Sequence, residues 1–576
     1  MPLIPDQPYS ASDIPDYPQC TPHPIRIIHV GGGASGILFA HKIERWLTNF
    51  ELLILEKNSS LGGTWYENRY PGCACDIPAH SYVFPFEPNP EWSGYYSYSD
   101  EIHEYMMKCA KKWEVDRYVK LKREVVSATW DEARRKWTVE TRVSDGEKQG
   151  ETEWEECDVL INGAGVVNKW KWPAIEGLHS FGGALAHSAN WDQKLDWKGK
   201  RVAVIGTGSS SIQMVPRLAE GSTSLKVFMR NPTYIGPQIG SSVSNKQADP
   251  EAMEPGAAQV HRYTEKEKQK FRDDEDYLLD YRKRLEQAVV GGFKMFYRGS
   301  ELNIQAKAMM QADMAAKLGD NDDLKKRLIP DWSPGCRRLT PGEGYLETLI
   351  LPHVTTVHEE IVRVTPKGVV TADGTEHEVD ILACATGFYT QFLPHFKITG
   401  IGGQVMQDSK EPNVYASIGS PGYPNYFIVN GPRGNWGQGC ILPSHEVHVE
   451  YILQCCKRMQ EDGVRSMQPK EQVTAQFNLY VDAWHKKHSI WAENCKSWYK
   501  NNDTEGRVWL WPGSMLHFLK FMKRPRFEHY DLEYRDPTNI FALLGGGITI
   551  AENKNKPGQV PVPYIRLREE DPWELE

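Results

Sequence analysis

Two stretches of this 576-residue chain repeat one ordering of apolar and polar positions. PIRIIHVGGGASGILFAHKI, residues 24–43, and KRVAVIGTGSSSIQMVPRLA, residues 200–219, each run from an apolar segment into glycines and then into apolar residues at helical spacing. Each predicts a strand, a Gly-rich turn and a helix. The strand-like DVLINGAG, 158–165, ends an α/β unit before the second copy, and DILACATGF, 380–388, is a third strand–glycine run. Between about 240 and 330 the chain turns charged and helix-forming, as in EKEKQKFRDDEDYLLDYRKRLEQAVV, which predicts a helical insertion of solvated helices. Beyond about 440 it is helical and aromatic-rich, ending in a polar tail. The expected fold is α/β, with two Rossmann-like dinucleotide-binding domains and a helical insertion in the second. The expected boundaries are a lead-in or strap over 1–23, the first domain over 24–175, the second over 176–375, and a return to the first over 376–576.

The first turn holds Gly31, Gly33 and Gly36 in the G-x-G-x-x-G pattern. The first glycine permits the tight turn, the second admits a pyrophosphate, and the third lets helix and strand pack closely. The helix N-terminus then offers free N–H groups to phosphate. The next strand, ELLILE, ends in Glu56, placed to accept hydrogen bonds from ribose hydroxyls. The second turn keeps Gly206 and Gly208, with Ser211 at the third position and Ser209 opening the helix. Where the first site has an acid, the second has Arg230 at the end of LKVFMRNP. A guanidinium suits a 2′-phosphate, so the second site is expected to take NADPH rather than NADH. Two dinucleotide sites imply electron traffic, and a flavin stores hydride, so the first is expected to take FAD.

Composition narrows the classes. With 67 basic and 76 acidic residues the net charge is −9, which leaves no basic footprint for nucleic acid. No Lys/Arg block suggests an anionic membrane surface. The N-terminus lacks an apolar signal region and no run is long enough to span a bilayer, so an intracellular, cytoplasmic chain is expected. The eleven scattered cysteines favour reduced thiols over a disulfide framework. Cys73, Cys75 and His80 fit no usual zinc spacing, and no metal is expected.

GGTWYENRYPGCACDIPAHSYVFPF, residues 62–86, resembles the class B flavin monooxygenases, specifically the Baeyer–Villiger monooxygenases. So does SFGGALAHSANWD, 180–192, which carries the family signature at Phe181, Gly183, His187, Trp191 and Asp192. The resemblance covers roughly residues 24–450, and the C-terminal segments NCKSWYK and WPGSMLHFLKFMKRPRFEHYDLEY are similar to fungal members that act on secondary metabolites. It implies an NADPH-dependent enzyme in which reduced FAD and O₂ form a C4a-peroxyflavin. That species attacks a ketone, and one carbon migrates to oxygen to give an ester or lactone.

The resemblance also implies roles for residues. In PGCRRLTPGEGYLETL, 334–349, Arg338 aligns with the catalytic arginine, and Arg337 replaces a lysine that helps hold the 2′-phosphate. Asp76 would pair with Arg338. Thr64, Trp65 and Tyr82 would line the flavin, and Gln213 follows the family at the second turn. Asn231 departs from the usual threonine after Arg230. His187 would tie the linker to the NADPH domain rather than move protons. Thr386 and Gly387 would bring a strand close to the flavin, and Trp436 in GPRGNWGQG would wall the substrate. An anionic peroxide needs fixed positive charge, so the Arg338–Asp76 pair favours a ketone, and the similarity to fungal secondary-metabolite members implies a bulky polycyclic or long-chain one. The alternative on this scaffold is N- or S-oxygenation. A disulfide reductase would need a C-x₄-C pair that is absent here. Substrate identity and oligomeric state are not encoded in any pattern of the chain.

Overall fold

A computed structural model describes residues 9–238, 240, 243 and 261–573. Two five-stranded sheets, every adjacent pair parallel, organise the chain. The first runs in the order Tyr426–Ile428, Val159–Asn162, Ile25–Val30, Phe50–Leu55, Val119–Lys120. The second runs Val354–Val357, Ser224–Phe228, Arg201–Ile205, Ile381–Cys384, Ala184–His187. Such strands are covered on both faces, which is why their sequences are near-continuous apolar runs. Ile27, Ile28, Val202, Ala203 and Val204 have no exposed surface.

Each predicted strand–turn–helix is present. Ile25–Val30 leads to the helix Ala34–Trp46, and Arg201–Ile205 to the helix Ser209–Ala219. One boundary moves. Ile381–Cys384 pairs with Arg201–Ile205, so the second unit extends beyond residue 375, and the chain rejoins the first sheet only at Tyr426–Ile428. The apolar run of Ile381–Cys384 fits a central strand of either sheet, and its partner is a tertiary choice.

The insertion is helical where it is described: Glu265–Asp273, Glu275–Val290, Glu301–Lys317 and Asp322–Leu328. The rest of the expected 240–330 segment lies outside the described residues. Side chains of Thr264, Asp274, Ser300 and Asn321 cap these four helices. They are more than solvated struts. Phe271, Leu278 and Leu285 pack with the first unit's core, Met310 and Met314 with the second's. Arg282 donates to the carbonyls of His80 and Pro85, 3.1 and 3.0 Å away.

Of the expected lead-in, residues 9–23 form a strap. Gln19 and Cys20 donate backbone N–H to Ile548 and Leu543, and Tyr9 donates its hydroxyl to Thr538. The reduced-thiol expectation needs correction at one place: Cys336 and Cys495 form a disulfide, and nine other cysteines are free. The partners stand 159 residues apart, so no local spacing could announce the bridge. Among the described residues no helix is long and apolar enough to cross a membrane.

Candidate functional site

The first glycine turn is built for close approach. Gly31 sits at φ +101°, and a Cβ there would fall 2.7 Å from the Gly163 carbonyl oxygen. The helix N-cap is Gly33, with no side chain bonded to the first-turn N–H groups. That differs from the side-chain-capped insertion helices and leaves those donors for an anion. Glu56 is buried, and burial raises its pKa against the opposing pull of the Asn58 and Gly32 N–H groups. Its carboxylate accepts from Gly32 N–H at 2.7 Å and from Asn58 N–H and Nδ2, both at 2.8 Å. Three of its roughly four acceptor positions are thus filled, and one remains for a ribose hydroxyl. Gly63 lies over Gly33 and opens the short helix Thr64–Glu67. Thr64 is exposed there, and Trp65 Nε1 donates to the buried Tyr82 hydroxyl at 3.0 Å. These residues fit a dinucleotide such as FAD.

The second turn repeats the geometry. Gly206 at φ +131° faces the Ala385 carbonyl, Gly208 is an N-cap without a side-chain bond, and a Cβ on Gly208 would meet nothing within 4 Å. Thr386 and Gly387 follow the strand beside this turn, so they flank the second site, and the Gly163–Ala164 backbone is their counterpart at the first. Arg230 is exposed at the end of its strand, and Arg337 donates from Nη1 to the Pro232 carbonyl at 2.9 Å. Burial, and next the charge of Arg230, lower the Arg337 pKa. Two neighbouring guanidiniums without an acidic partner among the described residues fit a phosphate dianion. Asn231 offers its carbonyl to Thr207 Oγ1 at 3.0 Å, and Ser209 Oγ lies 2.6 Å from Thr340 Oγ1.

Between the turns the two units exchange contacts. Gln213 accepts from the Tyr70 hydroxyl at 2.7 Å and donates to the Ala74 carbonyl at 2.9 Å, so it joins the second unit's helix to the first unit's 70–76 loop. At this seam Arg338 meets Asp76. Nε and Nη2 donate to the two carboxylate oxygens at 2.8 and 2.7 Å, a bidentate pair whose side chains are 24% and 20% exposed. Burial opposes the charge on Arg338, but Asp76, with help from Tyr499, outweighs it and holds the pKa above the usual guanidinium value. Arg338 is therefore a permanent cation in a partly dry site, and its loop is anchored through the Thr340–Pro341 pairing with Ile235–Gly236.

The linker-signature residues pack within the second unit. His187 ends a strand of the second sheet, stacks on Trp170 at 4.5 Å, accepts the Ala189 N–H on Nδ1, and lies 3.3 Å from Thr386 Oγ1. Burial pushes its pKa down to about 4, so it is neutral at pH 7. A Cβ on Gly183 would strike the Asp380 carbonyl, Phe181 packs in the second unit, Trp191 is buried, and Asp192 accepts the Lys194 N–H. Trp436 is 1% exposed and packs on Phe518, so it lies in the core behind any wall it helps to form. A buried aromatic satisfies the same local pattern as a lining one. Tyr499 is the site residue that sequence reasoning missed, although its segment NCKSWYK stood out.

Known proteins are similar to this chain in sequence and in fold. Residues 30–99 match the NAD(P)-binding Rossmann-like domain family, and residues 95–316 match the L-lysine 6-monooxygenase/L-ornithine 5-monooxygenase family. The FAD-binding monooxygenase tazF of Aspergillus terreus is 37% identical over 94% of this chain and 95% of its own. A Baeyer–Villiger monooxygenase of Pseudomonas aeruginosa is 30% identical over 88% and 91%. The crystal structure of cyclohexanone monooxygenase from Rhodococcus sp. Phi1 bound to NADP⁺ superposes with a TM-score of 0.75. It covers 89% of this chain and all of that one at 24% identity, a likeness of fold.

Proposed function

This chain belongs to the FAD-binding monooxygenase family that includes the Baeyer–Villiger monooxygenases, and from that premise we propose that it inserts one oxygen atom of O₂ beside the carbonyl of a bulky ketone, giving an ester or lactone. FAD occupies the first turn and NADPH the second. Bound FAD, reduced by NADPH, would supply the activated oxygen. The chain's own residues do the rest. Gly31, Gly33 and Gly36 admit the first pyrophosphate, with Glu56 on its ribose. Arg230 and Arg337 hold the 2′-phosphate. Arg338 presents fixed positive charge to the oxygen that becomes anionic during attack, and a charge already in place costs no reorganisation at that moment. Asp76 orients it.

The observation that carries this reading is the bidentate Arg338–Asp76 pair at the seam between the two glycine turns. A persistent cation favours an anionic, nucleophilic oxidant, which attacks carbonyl carbon. Arg338→Ala is expected to keep its FAD and to lose product formation by about 10²–10³-fold. Ester formation near the wild-type rate would overturn the assignment. The match over 95–316 to the lysine and ornithine monooxygenase family supports a second reading, N-oxygenation on the same scaffold. Product analysis with ketone, amine and sulfide panels separates the two.

A further inference from the structure

Asp76 engages only two of the five N–H donors of Arg338. The Tyr499 hydroxyl, from the C-terminal part of the chain, also acts on the guanidinium and favours its charge. Tyr499 is 1% exposed and packs with Phe296, Ile490, Trp491, Val508 and Leu510. Its carbonyl accepts the Trp509 N–H at 2.8 Å, which fixes the backbone behind the ring.

The segments leading to Arg338 and to Tyr499 are tied together three further times. Ser333 donates its N–H and Oγ to the Glu493 carboxylate at 2.9 and 2.8 Å. Trp491 Nε1 donates to the Gly335 carbonyl at 3.0 Å. The Cys336–Cys495 disulfide joins backbones whose Cα atoms stand 6.3 Å apart. Lys500 locks the far side, donating to the carbonyls of Glu493 and Thr504, each at 2.6 Å. An arginine side chain has large rotamer freedom, and one carboxylate fixes the plane of its fork but not the path of the loop that carries it. The ties fix that path.

We propose that Tyr499 is a positioning residue for Arg338, held on the guanidinium by a C-terminal clamp whose covalent rivet is Cys336–Cys495. The role in turnover rests on the oxygenation reading above; the clamp itself does not.

The test is amide hydrogen exchange on the FAD-loaded protein, read in peptides spanning 333–341, together with the fraction of oxidised NADPH that appears as product. Tyr499→Phe keeps the ring and loses only the hydroxyl. It should retain FAD and thermal stability, raise exchange in 333–341 about tenfold, and lower the product fraction. The Cys336→Ala/Cys495→Ala variant should move both readouts in the same direction. Wild-type exchange in Tyr499→Phe, under conditions where Asp76→Asn speeds it, overturns the role of Tyr499. Wild-type exchange in the double cysteine variant overturns the rivet. If Arg338→Ala itself forms product normally, the oxygenation reading fails, and exchange alone still decides the clamp.

Discussion

Asp76→Asn removes one charge from the seam while keeping the volume of the side chain. In the wild type two charge-assisted bonds of 2.8 and 2.7 Å run from Arg338 to the carboxylate. The amide can accept one of them, and its NH₂ then faces a guanidinium N–H. Two unit charges about 4 Å apart attract by about 4 kcal/mol at an effective dielectric near 20. With side chains 24% and 20% exposed, screening reduces this to about 2 kcal/mol. Released from its carboxylate, Arg338 is no longer aimed, and a loss of about 1.4–2.8 kcal/mol in the transition state corresponds to a 10–100-fold slower product-forming turnover. The pair joins residues of the two units, so the melting temperature should fall by a few degrees as well. The assay measures FAD content, melting temperature, and product formed per NADPH oxidised. A variant whose turnover and coupling stay within about twofold of wild type, at the rate scale where tenfold is 1.4 kcal/mol, refutes the idea that Asp76 holds the working cation.

Other consequences follow from neighbouring geometry. Arg337→Ala should raise the KM for NADPH about 10–100-fold, as expected for losing a bond between charged groups, and leave NADH kinetics nearly unchanged; equal losses with both coenzymes would move Arg337 off the 2′-phosphate. Gly36→Ala places a Cβ 2.4 Å from the Gly31 carbonyl oxygen and should yield colourless protein, read from flavin absorbance against protein absorbance. Glu343 gives a pH test. Burial, opposed by backbone hydrogen bonding and Lys317, pushes its pKa up to about 7. A folded value above the unfolded one means that wild-type stability falls as pH rises from about 4.5 to about 7 and is level beyond, by up to about 3 kcal/mol. Glu343→Gln should therefore raise the melting temperature at pH 8 and have little effect at pH 4.5, and an equal shift at both would exclude this titration.

The two glycine turns were legible because their chemistry is local. A strand, a turn and a helix fit within twenty residues, and Glu56 and Arg230 sit one strand further on. Asp76 and Arg338 are 262 positions apart, and only family resemblance could pair them. Tyr499 and the Cys336–Cys495 bridge carried no such cue, since both depend on where the C-terminal segment folds back. Gln213 matched the family beside a nucleotide turn, and its amide in fact joins the two units through Tyr70 and Ala74. Ile381–Cys384 had the right pattern for a strand, yet pattern alone does not choose between two parallel sheets. Trp436 shows the same limit for side chains, because burial behind a loop and exposure on it are written alike in sequence.

The central claim is insertion of one oxygen atom from O₂ beside a ketone carbonyl. The direct measurement supplies the FAD-loaded protein with NADPH, ¹⁸O₂ and a panel of bulky polycyclic and long-chain ketones, and reads the products by mass. The account predicts an ester or lactone bearing a single heavy oxygen, formed by wild type and not by Arg338→Ala. Heavy oxygen found only in sulfoxides or hydroxylamines from parallel panels, with every ketone returned unchanged, would contradict it.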